Sequence, residues 1–136
     1  MTLNCNGIRS AARKGFFDWL GSQEVDLVCL QETKAQIHQL DDPVFHPEGY
    51  HAYYYDAQKK GYAGTALFSK LVPQKVTKGL GFEIADTEGR FIKADFKGLT
   101  VASLYLPSGS AGEERQKRKF KFMQEFMRIM QSFKNK

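Results

Sequence analysis

Apolar and polar positions alternate along this chain with a period that changes twice. The opening "MTLNCNGIRSA" begins as a short strand and breaks at Asn6-Gly7, a turn signal. That strand reads as clipped, because only Met1 and Thr2 precede Leu3. In "RKGFFDWLGS", Phe16, Phe17, Trp19 and Leu20 group on one side at helical spacing, and Gly21-Ser22 closes the segment. "VDLVCL" follows as an almost unbroken apolar run, the pattern of a strand covered on both faces. It runs straight into Gln31 and Glu32.

From residue 50 onward the period shortens to two. "YHAYYYDA", "AGTALFSK", "VPQKVTKG", "RFIKADF" and "LTVASLYL" are short β-rich segments punctuated by Gly and Pro. They stand too close together for intervening helices, so antiparallel pairing is expected. The last segment, "EERQKRKFKFMQEFMRIMQSF", returns to helical spacing, with Phe120, Met123, Met127 and Met130 on one stripe expected to pack on the core. The order predicts an α/β fold: strand, helix, strand, then an antiparallel run, then a helix. No repeat or linker divides it, so residues 1–136 form one unit. The last helix and the strands "VDLVCL" and "LTVASLYL" call for further partners to cover their apolar faces and edges. The chain is therefore expected to be the first part of a longer domain, cut at both ends and more severely at the C-terminal one.

Composition narrows this only slightly. A hydrophobic fraction of 42% in 136 residues suits a packed core and argues against disorder. No apolar run approaches the roughly 20 residues of a membrane helix. No basic-then-apolar leader opens the sequence, so a cytoplasmic monomer without membrane association is expected. Cys5 and Cys29 lie far apart in apolar contexts and read as small buried hydrophobes, not as a zinc or disulfide framework. The net charge of +5 is unevenly placed: residues 1–112 hold twelve cations and twelve anions, and residues 113–136 hold eight against three. The basic excess fits either a polyanion-facing surface or a solvated helix face.

Polar residues gather where the apolar strands stop: Asn4 and Asn6 after Leu3, Gln31 and Glu32 after Leu30, and Tyr105 before Leu106-Pro107-Ser108-Gly109. Sites in layered α/β proteins collect at strand ends, where loops converge on a rigid sheet. An Asn carbonyl and a Glu carboxylate are hard oxygen donors suited to Mg²⁺. Spacing alone leaves two readings open, a metal site at Asn4 and Glu32 or ordinary polar strand caps.

The motifs "LNCNGIRSA", "DLVCLQETKA", "KKGYAGTALFSK", "EGRFIKADF" and "SLYLPSG" occur in that order and span nearly the whole chain. Together they resemble the exonuclease III / apurinic-apyrimidinic endonuclease family of the endonuclease/exonuclease/phosphatase superfamily. The resemblance implies a four-layered α/β sandwich of two packed mixed β-sheets flanked by helices, of which this chain is the N-terminal half. It implies Mg²⁺-dependent phosphodiester hydrolysis, with Mn²⁺ as a substitute, on double-stranded DNA carrying abasic sites or 3′ ends. By the same resemblance Glu32 is the metal-binding glutamate. Asn4 helps to hold the metal and the catalytic water, and the Tyr105 hydroxyl reaches the scissile phosphate. Arg9, with Arg13 or Lys14, grips DNA phosphates. Gly61 and Tyr62 form a DNA-contacting loop, and Ser108-Gly109 borders the site on the DNA side. Asn6 supports the site from behind the metal ligands, and Lys34 neighbours the phosphate. His38, His46 and His51 match no catalytic position and are expected in loops.

The family's later motifs, Gly-Asp-x-Asn and the terminal Ser-Asp-His, do not occur in these 136 residues. The fragment alone is therefore expected to lack the general base and to be inactive. Two other readings compete. One keeps the superfamily and replaces DNA with inositol phosphates or phospholipids; the basic Arg9-Arg13-Lys14 loop and Gly61-Tyr62 favour DNA. The other is a non-catalytic DNA-binding module, which has no need of the trio Asn4, Glu32 and Tyr105.

Overall fold

A computed structural model describes residues 1–109 and 112–134. The elements follow in the order β1 (Thr2–Asn4), α1 (Ile8–Arg13), α2 (Phe16–Gly21), β2 (Leu27–Gln31), β3 (His51–Tyr55), β4 (Thr65–Ser69), β5 (Lys75–Lys78), α3 (Glu83–Thr87), β6 (Phe91–Phe96), β7 (Leu99–Leu104) and α4 (Glu113–Lys134). Two short 3-10 turns, Ile37–Gln39 and Pro43–Phe45, lie between β2 and β3.

The strands build two sheets. The first has the order β1-β2-β4-β3, and the second the order β5-β6-β7. β1 runs parallel to β2, with Asn4 opposite Gln31. Every other pairing is antiparallel. The first sheet is thus mixed as expected, whereas the described strands of the second are all antiparallel.

The period-two alternation decides what each sheet face meets. Val28 and Leu30 of β2, Ala66 and Phe68 of β4, and Tyr54 of β3 point to the helix side, where they pack with Ile8, Phe16, Phe17 and Leu20. The intervening residues Cys29 and Leu67 point the other way and meet Ile92 and Ala94 of β6 in a smaller core between the sheets. Polar ties cross that second interface: Gln31 Nε2 donates to Ser103 Oγ at 3.0 Å, and Ser103 Oγ donates to the Leu30 carbonyl at 2.8 Å. Beyond the second sheet, α4 lays Phe126 on Phe91 and Phe122 on Phe82. The layers are therefore helix, sheet, sheet, helix, and "VDLVCL" is buried on both faces as its sequence requires.

Four expectations need correction. The helix expected over 13–22 starts late, as α2 at Phe16, because Gly15 adopts a left-handed conformation (φ 92°), and an unforeseen short helix, α1, precedes it. The turn swings Trp19 outward, leaving it 48% exposed while Phe16, Phe17 and Leu20 are buried. A helix does fit between β5 and β6: α3 has only five residues, closed on itself by Asp86, whose Oδ1 accepts from the Leu80 N–H at 2.7 Å. The stripe Phe120, Met123 and Met127 on α4 faces solvent, and of the four stripe residues only Met130 joins the groove against β6 and β7. The face that packs instead carries Phe122 and Phe126. Finally, His51 opens β3 instead of lying in a loop.

No helix among the described residues is long and apolar enough to cross a membrane. Cys29 is buried and Cys5 half-buried, both as free thiols. Burial pushes the Cys5 thiol up to about 11 and raises that of Cys29, as befits packing residues.

Candidate active site

Three loops meet at one end of the first sheet: residues 4–9 after β1, 31–36 after β2, and 61–64 before β4. Main-chain hydrogen bonds lock them together. The Gly7 N–H donates to the Glu32 carbonyl at 2.8 Å, and the Ile8 N–H to the Thr33 carbonyl at 2.9 Å. The Lys34 N–H donates to the Ala63 carbonyl at 2.8 Å, and the Thr33 N–H to the Gly64 carbonyl at 3.2 Å. Asn6, Glu32, Lys34 and Ala63 are the four non-glycine residues with positive φ among the described ones, and all four lie in these loops. Such conformations cost on the order of 1–3 kcal/mol each and persist where the surroundings over-determine them, as at functional sites.

This clamp aims Glu32. The strand ends at Gln31, the chain turns through φ 61° at Glu32, and the carboxylate meets Tyr105 from the end of β7. Tyr105 Oη donates to Glu32 Oε1 at 2.8 Å, joining residues 73 positions apart and from different sheets. Burial, with the hydrogen bond to Glu32 and its negative charge, pushes the Tyr105 hydroxyl up to about 12. It is thus a neutral hydrogen-bond donor throughout the physiological range.

The neighbouring positions fall around this pair. Asn4 is exposed beside Gln31 in the β1–β2 register, and its Oδ1 accepts from the Asn6 N–H at 3.1 Å. Lys34 Nζ donates to Asn6 Oδ1 at 2.8 Å, and Arg9 Nη2 to the Lys34 carbonyl at 3.2 Å. Asn6, Lys34 and Arg9 thus form one connected rim. Lys14 lines an open concavity with Asn6, Ser10 and Trp19. Arg13 is exposed at the end of α1, and Ser108 is exposed three residues after Tyr105. The Gly61 N–H donates to Gln36 Oε1 at 3.3 Å, which anchors the loop that carries Tyr62.

The sequence reading missed Arg90, the largest fully buried side chain. Its Nη1 donates to the Tyr105 carbonyl and its Nη2 to the Tyr62 hydroxyl, each at 3.0 Å. Its Nε donates to Glu88 Oε1 at 3.1 Å. Its guanidinium lies 4.8 Å from the Tyr105 ring centroid and 5.7 Å from that of Tyr62. The signal was present in "EGRFIKADF": two opposite charges flanking a glycine at the mouth of an apolar strand. A charge entering a core needs a partner, and Glu88 stands two residues away.

The donor set bears on a metal. Among the described residues no group of three or more His, Cys, Asp or Glu could enclose one. Glu32 and Asn4 instead offer hard oxygens at neighbouring strand ends. That suits a cation bound by one or two carboxylates and otherwise by water and substrate phosphate, as Mg²⁺ is, and not a closed zinc site.

Two packed sheets between helices, with Glu32 and Tyr105 converging at their strand ends, define a layered α/β class. Residues 1–131 match the Endonuclease/Exonuclease/phosphatase family, and the chain belongs to it. It is 45% identical over 113 residues to an exodeoxyribonuclease of Bacillus subtilis (strain 168), a match that covers 82% of this chain and 44% of the relative. It is 38% identical over 111 residues to the DNA repair nuclease APEX1 of Danio rerio, covering 80% of this chain and 36% of that protein. Among solved structures, an AP endonuclease from Archaeoglobus fulgidus superposes with a TM-score of 0.84 at 31% identity, over 96% of this chain and 50% of that one. The chain thus spans half or less of the length of these relatives.

Proposed function

We propose that this chain carries the metal-binding half of a DNA-repair phosphodiesterase that nicks double-stranded DNA at abasic sites and removes nucleotides from 3′ ends. The observation that carries the reading is the Tyr105–Glu32 hydrogen bond at 2.8 Å, which seats a phenol donor and a carboxylate at one point from two different sheets. The exodeoxyribonuclease and AP endonuclease named above support the choice of DNA.

Glu32 and Asn4 would hold a Mg²⁺ ion, for which Mn²⁺ is a substitute. When bound, such an ion acts as a Lewis acid on a phosphate oxygen. The chain's own residues do the rest. Tyr105, pre-oriented by its hydrogen bond to Glu32, would turn that one O–H from the carboxylate to a phosphoryl oxygen as charge develops there. The clamp of three loops keeps the Glu32 carboxylate fixed, so little reorganisation accompanies reaction. Arg9 and Lys34 present positive charge along the rim, and Lys14 extends it, in reach of the phosphates of a duplex. Tyr62, held over the same side by Arg90, gives the strand an aromatic edge.

The test is turnover of the full-length protein on three substrates: a duplex with one abasic site, an inositol phosphate and a phospholipid. We expect Mg²⁺-dependent nicking of the duplex and background rates on the other two. A preference for either phosphate ester would reassign the substrate. The 136-residue chain by itself is expected to show no nicking above background, and measurable Mg²⁺-dependent nicking by it would overturn the need for the rest of the protein.

A further inference from the structure

Behind the site lies a charged cluster that takes no part in the steps above. Glu88 is buried, yet it meets two arginines. Arg90 Nε donates to its Oε1 at 3.1 Å, and Arg118 Nη2, from the second turn of α4, donates to both its carboxylate oxygens. Arg90 in turn holds the two aromatic residues of the site, Tyr105 by its carbonyl and Tyr62 by its hydroxyl, with its guanidinium against both rings. The Arg90 carbonyl also accepts from the Tyr105 N–H at 2.9 Å, so the two residues are fastened at both main chain and side chain.

The Tyr62 oxygen accepts an N–H from Arg90, which fixes the phenol's place, while Tyr105 donates to Glu32. Arg90 cannot hold that geometry unless its charge is balanced, because a buried guanidinium without a counter-charge is displaced toward water. Glu88 supplies the counter-charge to Arg90 and Arg118. Its backbone joins the same assembly, since the Gly64 N–H donates to the Glu88 carbonyl at 3.2 Å and Gly64 braces the turn that carries Glu32.

We propose that Glu88 is a positioning residue, which clamps Arg90 and Arg118 so that the Tyr62 and Tyr105 side chains keep the positions from which they would meet the phosphate. It acts through the arginines and touches no reacting atom. The inference rests on the phosphodiesterase reading for its effect on rate, but its structural content does not.

The experiment uses the full-length protein with Glu88→Gln, which keeps an acceptor for Arg90 and removes the charge. Two readouts are taken: steady-state nicking of an abasic duplex, and NMR of protein labelled with carbon-13 at the tyrosine ζ position. We expect kcat to fall at least roughly tenfold, as misplaced groups cost in other sites. We expect the Tyr62 and Tyr105 resonances to shift while that of Tyr54, buried in the other core, stays in place. Turnover within about twofold of wild type would overturn the proposal. So would lost turnover with the Tyr62 and Tyr105 resonances unmoved. If Glu88→Gln does not fold, Arg118→Gln on the more exposed partner replaces it, and the same two resonances must shift or the proposal fails. A wild-type protein that nicks no DNA would sink the phosphodiesterase reading, and the tyrosine resonances would still decide the clamp.

Discussion

At the level of single residues, Tyr105 donates and Glu32 accepts in the hydrogen bond at the centre of the site. The Tyr105 hydroxyl, pushed up to about 12 chiefly by burial and then by Glu32, has an ordinary value near 10. Its proton is therefore retained across the working range, and the pH–rate profile should show no alkaline limb from this group below pH 10. The linkage has a definite sign. The folded state holds the phenol proton more tightly than the unfolded chain, so the stabilisation is complete below pH 10 and drains away as pH rises from 10 to about 12. Tyr105→Phe should lower kcat by about a hundredfold, the scale of one lost transition-state donor, and abolish that drain. Alkaline unfolding curves for the two proteins check the second point. Arg9, hydrogen-bonded to the Lys34 carbonyl, is proposed to meet the duplex. Arg9→Ala should weaken duplex binding and reduce the slope of log affinity against log salt by about 0.9, the signature of one lost phosphate contact. A slope unchanged by the substitution would leave Arg9 only its bond to the Lys34 carbonyl. Of these residues the sequence displayed Asn4, Glu32 and Tyr105, because each follows or ends an apolar run at a recognisable motif. It hid Arg90 and Glu88, because burial of a charged side chain depends on what packs over it. Here that cover is α4, about 30 positions away from Glu88.

At the level of elements, the determining feature is the meeting of tight turns at one end of the first sheet. Gly64 is the point at which side chains have no room: a Cβ there would stand 2.3 Å from Thr33 Oγ1 and 3.4 Å from the Tyr55 carbonyl, at a φ of 87°. Thr33 is fully buried and follows Glu32 directly, so pressure on it is transmitted to the carboxylate. Gly64→Ala should cost on the order of 1–3 kcal/mol in a denaturant titration from backbone strain. It should also lower turnover in the protein that remains folded. Strand periodicity made β2, β4 and β6 legible, since alternate residues meet different cores. Helix periodicity did less well on α4, where two apolar stripes coexist. Phe120, Met123 and Met127 have helical spacing, and so do Phe122, Phe126 and Phe133. Only the neighbouring Phe82 and Phe91 decide that Phe122 and Phe126 turn inward. The short helix α1 was not legible either, because only Ile8 of its six residues is buried.

At the level of the whole molecule, the architecture explains why the site is at once rigid and open. Glu32 and Tyr105 belong to different sheets, and the Gln31–Ser103–Leu30 hydrogen bonds tie those sheets together directly beneath them. Any sliding of one sheet over the other would part the carboxylate from the phenol. The relatives are about twice as long as this chain or longer, and β1 and β7 each present one unpaired edge among the described strands. Cover on both faces of β2 was legible because a strand with no polar face requires it, whereas the four-layer order came from the resemblance. The pairing within each sheet was not legible, because contacts such as Thr2 opposite Cys29 join positions that local pattern cannot connect.

The central claim is that β2 exists to place Glu32 as a metal ligand beside Tyr105. Its most direct test is Glu32→Gln in the full-length protein, with Mg²⁺ affinity measured by calorimetry and nicking of an abasic duplex measured across Mg²⁺ concentration. The account predicts weakened Mg²⁺ binding and loss of most turnover, with the fold and the Tyr54 environment retained. Unchanged Mg²⁺ affinity and an unchanged metal dependence of nicking would contradict it.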